Sequence, residues 1–130
     1  MPERSKDWMR QAERDLKSAK AQKKDGFFEW ASFISQQAAE KAIKAVYQKL
    51  GAEAWGHSVT ELLKGLKRKV NISDDLLNSA RYLDKFYIPA RYPNGWVEGI
   101  PAEYITEEDA ENAISYSEKI IQFCKSLLAK

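Results

Sequence analysis

The sequence predicts an all-α protein: an up-and-down antiparallel bundle of four main helices plus one short helix, with a long ordered loop before the last helix. Three observations lead there. Apolar residues recur at helical spacing through most of the chain. Glycines and helix-capping residues punctuate that pattern, and no segment alternates apolar with polar as a half-buried strand does. With 130 residues and no repeat, low-complexity tract or linker, residues 1–130 form a single domain large enough to bury a core.

The elements follow in order. Over residues 5 to 24, Trp8, Ala12, Leu16 and Ala19 share one face, and "KKDG" closes the helix with cations in its last turn and Gly26 as a left-handed cap. The second helix covers 27 to 50. Phe27, Trp30, Ile34, Ala38, Ala42 and Ala45 form one stripe, with Ala39, Ile43, Val46 and Leu50 beside it, so a wide apolar face gives this helix the central place. Phe28, Phe33 and Tyr47 point off the main stripe and are the candidates for aromatic surface in an interface. After "AEAWGH", the run "SVTE" reads as a capping box, Ser58 with Glu61, opening a short helix that carries Val59, Leu62, Leu63 and Leu66.

A fourth helix starts at "NISDD", with Ser73 as N-cap and with Leu76, Leu77, Ala80, Leu83 and Tyr87 facing inward. Pro89 cannot continue it. At Thr106, "TEED" opens the last helix, whose stripe runs Ala110, Ala113, Ile114, Ser117, Ile121, Cys124, Leu127 and Leu128.

Composition excludes several classes. With 44% hydrophobic and 31% charged residues the chain is no disordered polypeptide, and a net charge of +2 is no nucleic-acid signature by itself. One cysteine and one histidine rule out a Cys/His zinc site, and Cys124 on an apolar stripe reads as a buried free thiol. Asp74–Asp75 and Glu107–Glu108 stand at helix starts, where the dipole favours acids, so no metal or other cofactor is expected. The charged N-terminal stretch and the lack of a long apolar run point to a cytoplasmic protein without a membrane span.

The chemistry concentrates in "LDKFYIPARYPNGW", residues 83 to 96, at the entry of the long loop. A loop of this length in a compact domain is functional or disordered. Here Ile88, Tyr92, Trp96, Val97, Ile100, Tyr104 and Ile105 are expected to anchor it. A loop so held would aim Arg91, whose planar guanidinium suits phosphate or carboxylate. Arg81 and Lys85 lie one turn apart on the preceding helix, Lys41 and Lys44 are candidates from the second helix, and Tyr87 and Tyr92 could stack on a base. The competing reading pairs Arg91 with Glu98, Glu103 or a helix C-terminus and leaves the aromatics as a roof on the core.

The segments "QQAAEKAIKAVYQKLG" (36–51), "GHSVTELLKGL" (56–66) and "LDKFYIPARYPN" (83–94) together resemble the HEPN family of small prokaryotic helical proteins, over nearly the whole chain. That resemblance implies a four- or five-helix bundle, a homodimer, and a separately encoded minimal nucleotidyltransferase as partner, in a toxin–antitoxin-like pair. It also divides the functions. Ribonuclease members carry an Arg followed by a His after four to six residues. Arg91 stands where that arginine would fall, but Trp96, Val97 and Glu98 follow and no histidine comes later.

Three readings therefore stand. The first is a binding module that takes a nucleotide or RNA phosphate with Arg91, Lys85, Arg81 and Lys41, and a base with Tyr92 or Tyr87. The second is a metal-independent ribonuclease in which His57, at the start of the short helix, replaces the missing histidine and Arg91 steadies the phosphate. The third is a dimeric scaffold without a small ligand. Proximity of His57 to Arg91 would favour the second, whereas a buried salt bridge at Arg91 would favour the third.

Overall fold

The computed structural model describes residues 3–130 and contains five α-helices and no strand among them. α1 spans Ser5–Lys24, α2 Phe28–Leu50, α3 Val59–Gly65, α4 Asp74–Asp84 and α5 Glu107–Leu128. Two 3-10 turns, Pro93–Gly95 and Pro101–Glu103, lie in the loop before α5. None of the described helices is long and apolar enough to cross a membrane.

Each boundary has a local cause. Ser73 accepts a hydrogen bond from the Leu76 N–H (3.2 Å), and Thr106 with Asp109 forms a reciprocal box at α5 (3.1 and 2.9 Å). At α3 only half of the expected box forms. Ser58 accepts from the Glu61 N–H, but the Glu61 carboxylate turns to Lys64. A different acid, Asp84 of α4, takes its place: it accepts from the Ser58 hydroxyl (3.0 Å) and from the N–H groups of Val59 (2.8 Å) and Thr60 (3.0 Å). Two glycines are required by backbone sign, Gly26 (φ +88°) between α1 and α2 and Gly51 (φ +68°) at the end of α2.

α2 is the central helix and packs against every other helix. Close approach is possible because small residues line its contacts: Ala31, Ala38, Ala39, Ala42 and Ala45 are fully buried. Ser117 of α5 donates to the backbone carbonyl of Ser35 (2.7 Å), which locks α5 against α2. Cys124 is buried as expected, and burial pushes its thiol pKa up.

Three expectations about the apolar surface need correction. Phe27, Trp30 and Leu50 are exposed rather than buried, because they stand at the ends of α2, and periodicity does not show where the neighbouring helices stop. Of the aromatics expected off the stripe, Tyr47 is buried with its hydroxyl on the Leu62 carbonyl (2.7 Å), and Phe28 and Phe33 are half-buried against the core. Of the expected loop anchors, Ile88, Tyr92, Val97, Ile100 and Tyr104 are exposed, and only Trp96 and Ile105 pack on the core. The loop is ordered by other means. The Trp96 indole N–H donates to the Pro89 carbonyl (2.8 Å), Trp96 and Tyr104 stack (4.4 Å between centroids), and Gly95 lies so close to Pro89 that a Cβ there would stand 3.0 Å from the proline Cα.

A similar close approach yields a test. A Cβ on Gly65 would overlap the Tyr47 hydroxyl oxygen. Gly65→Ala should therefore cost about 1–3 kcal/mol in urea denaturation, as overpacking does. In the Tyr47→Phe background the same change should cost clearly less, and additive losses in the double-mutant cycle would refute this contact.

Candidate functional site

The site grows from a polar line on the most buried helix. Gln36, Glu40 and Lys44 are spaced four apart on α2, so they stack along one face. Gln36 is fully buried and Glu40 nearly so. A buried carboxylate needs partners, and Glu40 has several. Its Oε2 meets Lys44 Nζ and His57 Nδ1, both at 3.1 Å, and its Oε1 accepts from the Gln36 amide at 3.3 Å. Gln36 also donates to the His57 backbone carbonyl (2.8 Å). The turn before α3 is thus tied to α2 through both the side chain and the backbone of His57, and to α4 through Asp84.

These contacts set the histidine's chemistry. A carboxylate oxygen only accepts, so Nδ1 is the donor to Glu40, and whenever the ring is neutral its lone pair is on Nε2. The imidazole stacks on Tyr87 (centroids 5.0 Å apart, planes within 17°), and its side chain remains 55% exposed, so the ring is oriented yet reachable.

Arg91 meets the same tyrosine. Its guanidinium carbon lies 4.6 Å from the Tyr87 centroid, 4.5 Å from Phe33 and 5.1 Å from Tyr92. Its Nε donates to the Tyr87 carbonyl (2.7 Å), which fixes the plane of the fork. No acidic side chain pairs with it among the described residues, so the bridge to Glu98 or Glu103 is absent, while the third alternative, a contact with a helix C-terminus, is met by the Nε bond to the Tyr87 carbonyl just beyond α4. A guanidinium and an imidazole therefore share one aromatic ring, Tyr87, the one ring that both groups touch.

The other expected residues are arranged differently. Tyr87 and Tyr92 belong to the platform. Lys41 turns to α1, where it pairs with Asp15 at 2.5 Å, and its neighbour Lys44 occupies the inner position at Glu40. Lys85 lies over Tyr82 (5.3 Å), a different ring, and Arg81 donates to Asn78 (2.8 Å). Neither contacts Arg91. Phe33, Gln36, Glu40 and Asp84 were not singled out from the sequence as site residues. The readable signal for two of them was a polar pair at i and i+4 inside an otherwise alanine-rich buried helix. No group of acidic, histidine or cysteine side chains suited to a metal ion occurs among the described residues.

The pattern of the HEPN domain matches residues 5–127 of this chain. The chain belongs to the HEPN domain family. Among solved structures of similar proteins, TT1696 from Thermus thermophilus is 39% identical with a TM-score of 0.94, over 97% of this chain and 99% of that one. ST0689, an archaeal HEPN homologue, is 44% identical with a TM-score of 0.81 over 97% and 98% of the two chains. An HEPN domain protein from Thermotoga maritima (TM0613) is 40% identical with a TM-score of 0.78 over 95% and 98%. A curated relative, "Putative toxin MJ1304" of Methanocaldococcus jannaschii, is 28% identical over 93% of this chain and 86% of its own length. These likenesses support reading the chain as a toxin-like HEPN module.

The Asp84 clamp gives this HEPN domain a measurable weak point. Asp84→Ala removes three hydrogen bonds at the start of α3 and should lower stability by about 2 kcal/mol, near the upper end for a lost cap. A urea midpoint equal to that of wild type would show that the carboxylate does not hold the turn.

Proposed function

We propose that this toxin-like HEPN module binds RNA or a nucleotide through phosphate at the Tyr87 platform and acts beside a separately encoded nucleotidyltransferase. The observation that carries the binding site is Arg91: a guanidinium fixed by one backbone bond, bedded on three aromatic rings, and free of any acidic partner among the described residues. The bond to the end of α4 occupies Nε alone, and no carboxylate takes the rest of the fork among the described residues. Arg91 thus presents it, and Arg is suited to bidentate phosphate recognition. Tyr92, which is 48% exposed beside it, supplies a face for a base. The nucleotidyltransferase partner rests on the family resemblance. A homodimer belongs to the same reading, supported by exposed aromatic surface at the edge of the site, where Trp30 packs edge-on against Phe33.

A second reading has an observation of its own. Glu40 takes Nδ1 of His57, and the imidazole stacks on the same Tyr87 that Arg91 covers, so Nε2 is the nitrogen left for a general base and Arg91 the group for a phosphate. In that chemistry Nε2 takes the proton of an RNA 2′-hydroxyl, and the oxygen attacks phosphorus. The bond to the 5′-oxygen then breaks, and that oxygen is protonated by water. The products are a 2′,3′-cyclic phosphate and a 5′-hydroxyl. Arg91 would neutralise the charge that builds on the phosphoryl oxygens.

One experiment separates the two. A 5′-labelled single-stranded RNA is titrated with protein in EDTA, with anisotropy reporting binding and a denaturing gel reporting cleavage. Arg91→Ala should weaken binding roughly ten- to hundredfold, as expected for the loss of charge-assisted hydrogen bonds. Arg91→Lys should recover only part of it. Intact RNA at saturation fits the binding module. Cleavage that persists in EDTA and disappears in both His57→Ala and Glu40→Gln establishes the ribonuclease. Undiminished binding by Arg91→Ala would sink both.

A further inference from the structure

Resting on the phosphate reading above, we infer that the cavity beside Trp55 is a subsite for an unpaired nucleobase, so that the ligand is single-stranded RNA rather than a free mononucleotide. The cavity measures about 360 Å³ and lies between the start of α1, the end of α2 and the connection to α3. Trp8, Lys44, Gln48, Glu53 and Trp55 line it. Trp55 is 79% exposed, an unusual state for an indole on a well-packed domain. Trp8, half-buried against the core, provides a second indole on the same cavity.

The charges say what this cavity takes. Its single cation, Lys44, already faces the Glu40 carboxylate, and Glu53 adds a negative charge. A phosphate is therefore unwelcome here and is drawn to Arg91. A flat, uncharged aromatic is what two indoles accept, and stacking on aromatic side chains is how proteins hold unpaired bases.

Its position joins the two sites. Trp55 precedes His57 by two residues, so its backbone lies within about 7 Å of the histidine's. Lys44 links them again, because it lines the cavity while its partner Glu40 also holds His57. A strand whose phosphate rests on Arg91 and whose chain passes the His57 side of the Tyr87 platform would thus place a neighbouring base against Trp55.

The test uses hexauridylate and an abasic hexamer with the same sugar-phosphate backbone, each titrated by anisotropy in EDTA. Trp55→Ala should weaken hexauridylate binding roughly tenfold or more, and Trp55→Phe should restore most of it. Binding of the abasic hexamer should be the same in Trp55→Ala as in wild type, and Arg91→Ala should weaken both ligands. If Trp55→Ala binds hexauridylate like wild type while Arg91→Ala does not, the subsite is overturned and the phosphate site stands. If wild type binds neither ligand, both fall. If Trp55→Ala instead abolishes self-association in sedimentation and leaves RNA affinity unchanged, the indole covers a second copy of the chain and the subsite is overturned.

Discussion

The carboxylate of Glu40 stands almost out of solvent on the central helix, and an acid in that position is tolerable only if its charge is met. Lys44 meets it from the next turn of α2, the Gln36 amide from the turn before, and His57 from a different part of the chain. The last contact has the widest consequences. It obliges the connection between α2 and α3 to close over this face of α2, where Gln36 catches the His57 carbonyl as well. Asp84 then grips the next three residues from α4. Held from two helices, the turn has little freedom, and the orientation of the imidazole is settled before any ligand arrives. Preorganisation of this kind reduces the ordering cost of binding.

The fold was legible because its signals are local. Gly26, Gly51, Ser73 and the Thr106 box mark helix ends through backbone sign and capping, which neighbouring residues determine alone. The site was legible only in part. Arg91, Tyr87 and Tyr92 lie within six positions of one another, and the residue types announced a phosphate and a stacking face. His57, which lies 34 positions before Arg91, could be named as a candidate, but its meeting the same tyrosine as Arg91 depends on how α3 and α4 fold back onto α2. Asp84 illustrates the same limit. Glu61 held the position that a capping box requires, and a long-range acid replaced it because α4 delivers a carboxylate to three donors together. Lys41 and Lys44 show a subtler failure: they are three apart, yet one faces α1 and the other faces Glu40. Only the neighbouring helix distinguishes those directions.

Order in the long loop comes from backbone contacts more than from apolar anchors. Val97 and Ile100 project into solvent, while the Pro89 carbonyl takes the Trp96 indole and Gly95 allows the chain to pass close against the proline. Proline fixes the path into the loop and glycine permits the return, so the turn is stiff without being buried. Arg91 inherits that stiffness. Its Nε bond to the Tyr87 carbonyl uses an acceptor freed where the helix stops, and so the end of α4 and the direction of the guanidinium have a common cause.

A lysine in place of Arg91 would keep the charge and lose most of this arrangement. An ammonium has no planar face to lie on three rings and no fixed nitrogen to spare for the backbone while its other donors point outward. It would also be the more strongly hydrated cation over an apolar bed. The guanidinium tolerates that bed because its charge is spread and its faces are poorly hydrated, and its edge still offers two parallel donors. The aromatic cluster of Phe33, Tyr87 and Tyr92 is therefore matched to arginine specifically. The same Tyr87 ring that supports the fork also supports His57. A substitution at Tyr87 thus removes the shared floor of both groups, and this dependence ties the end of α4 to the turn before α3 as one site.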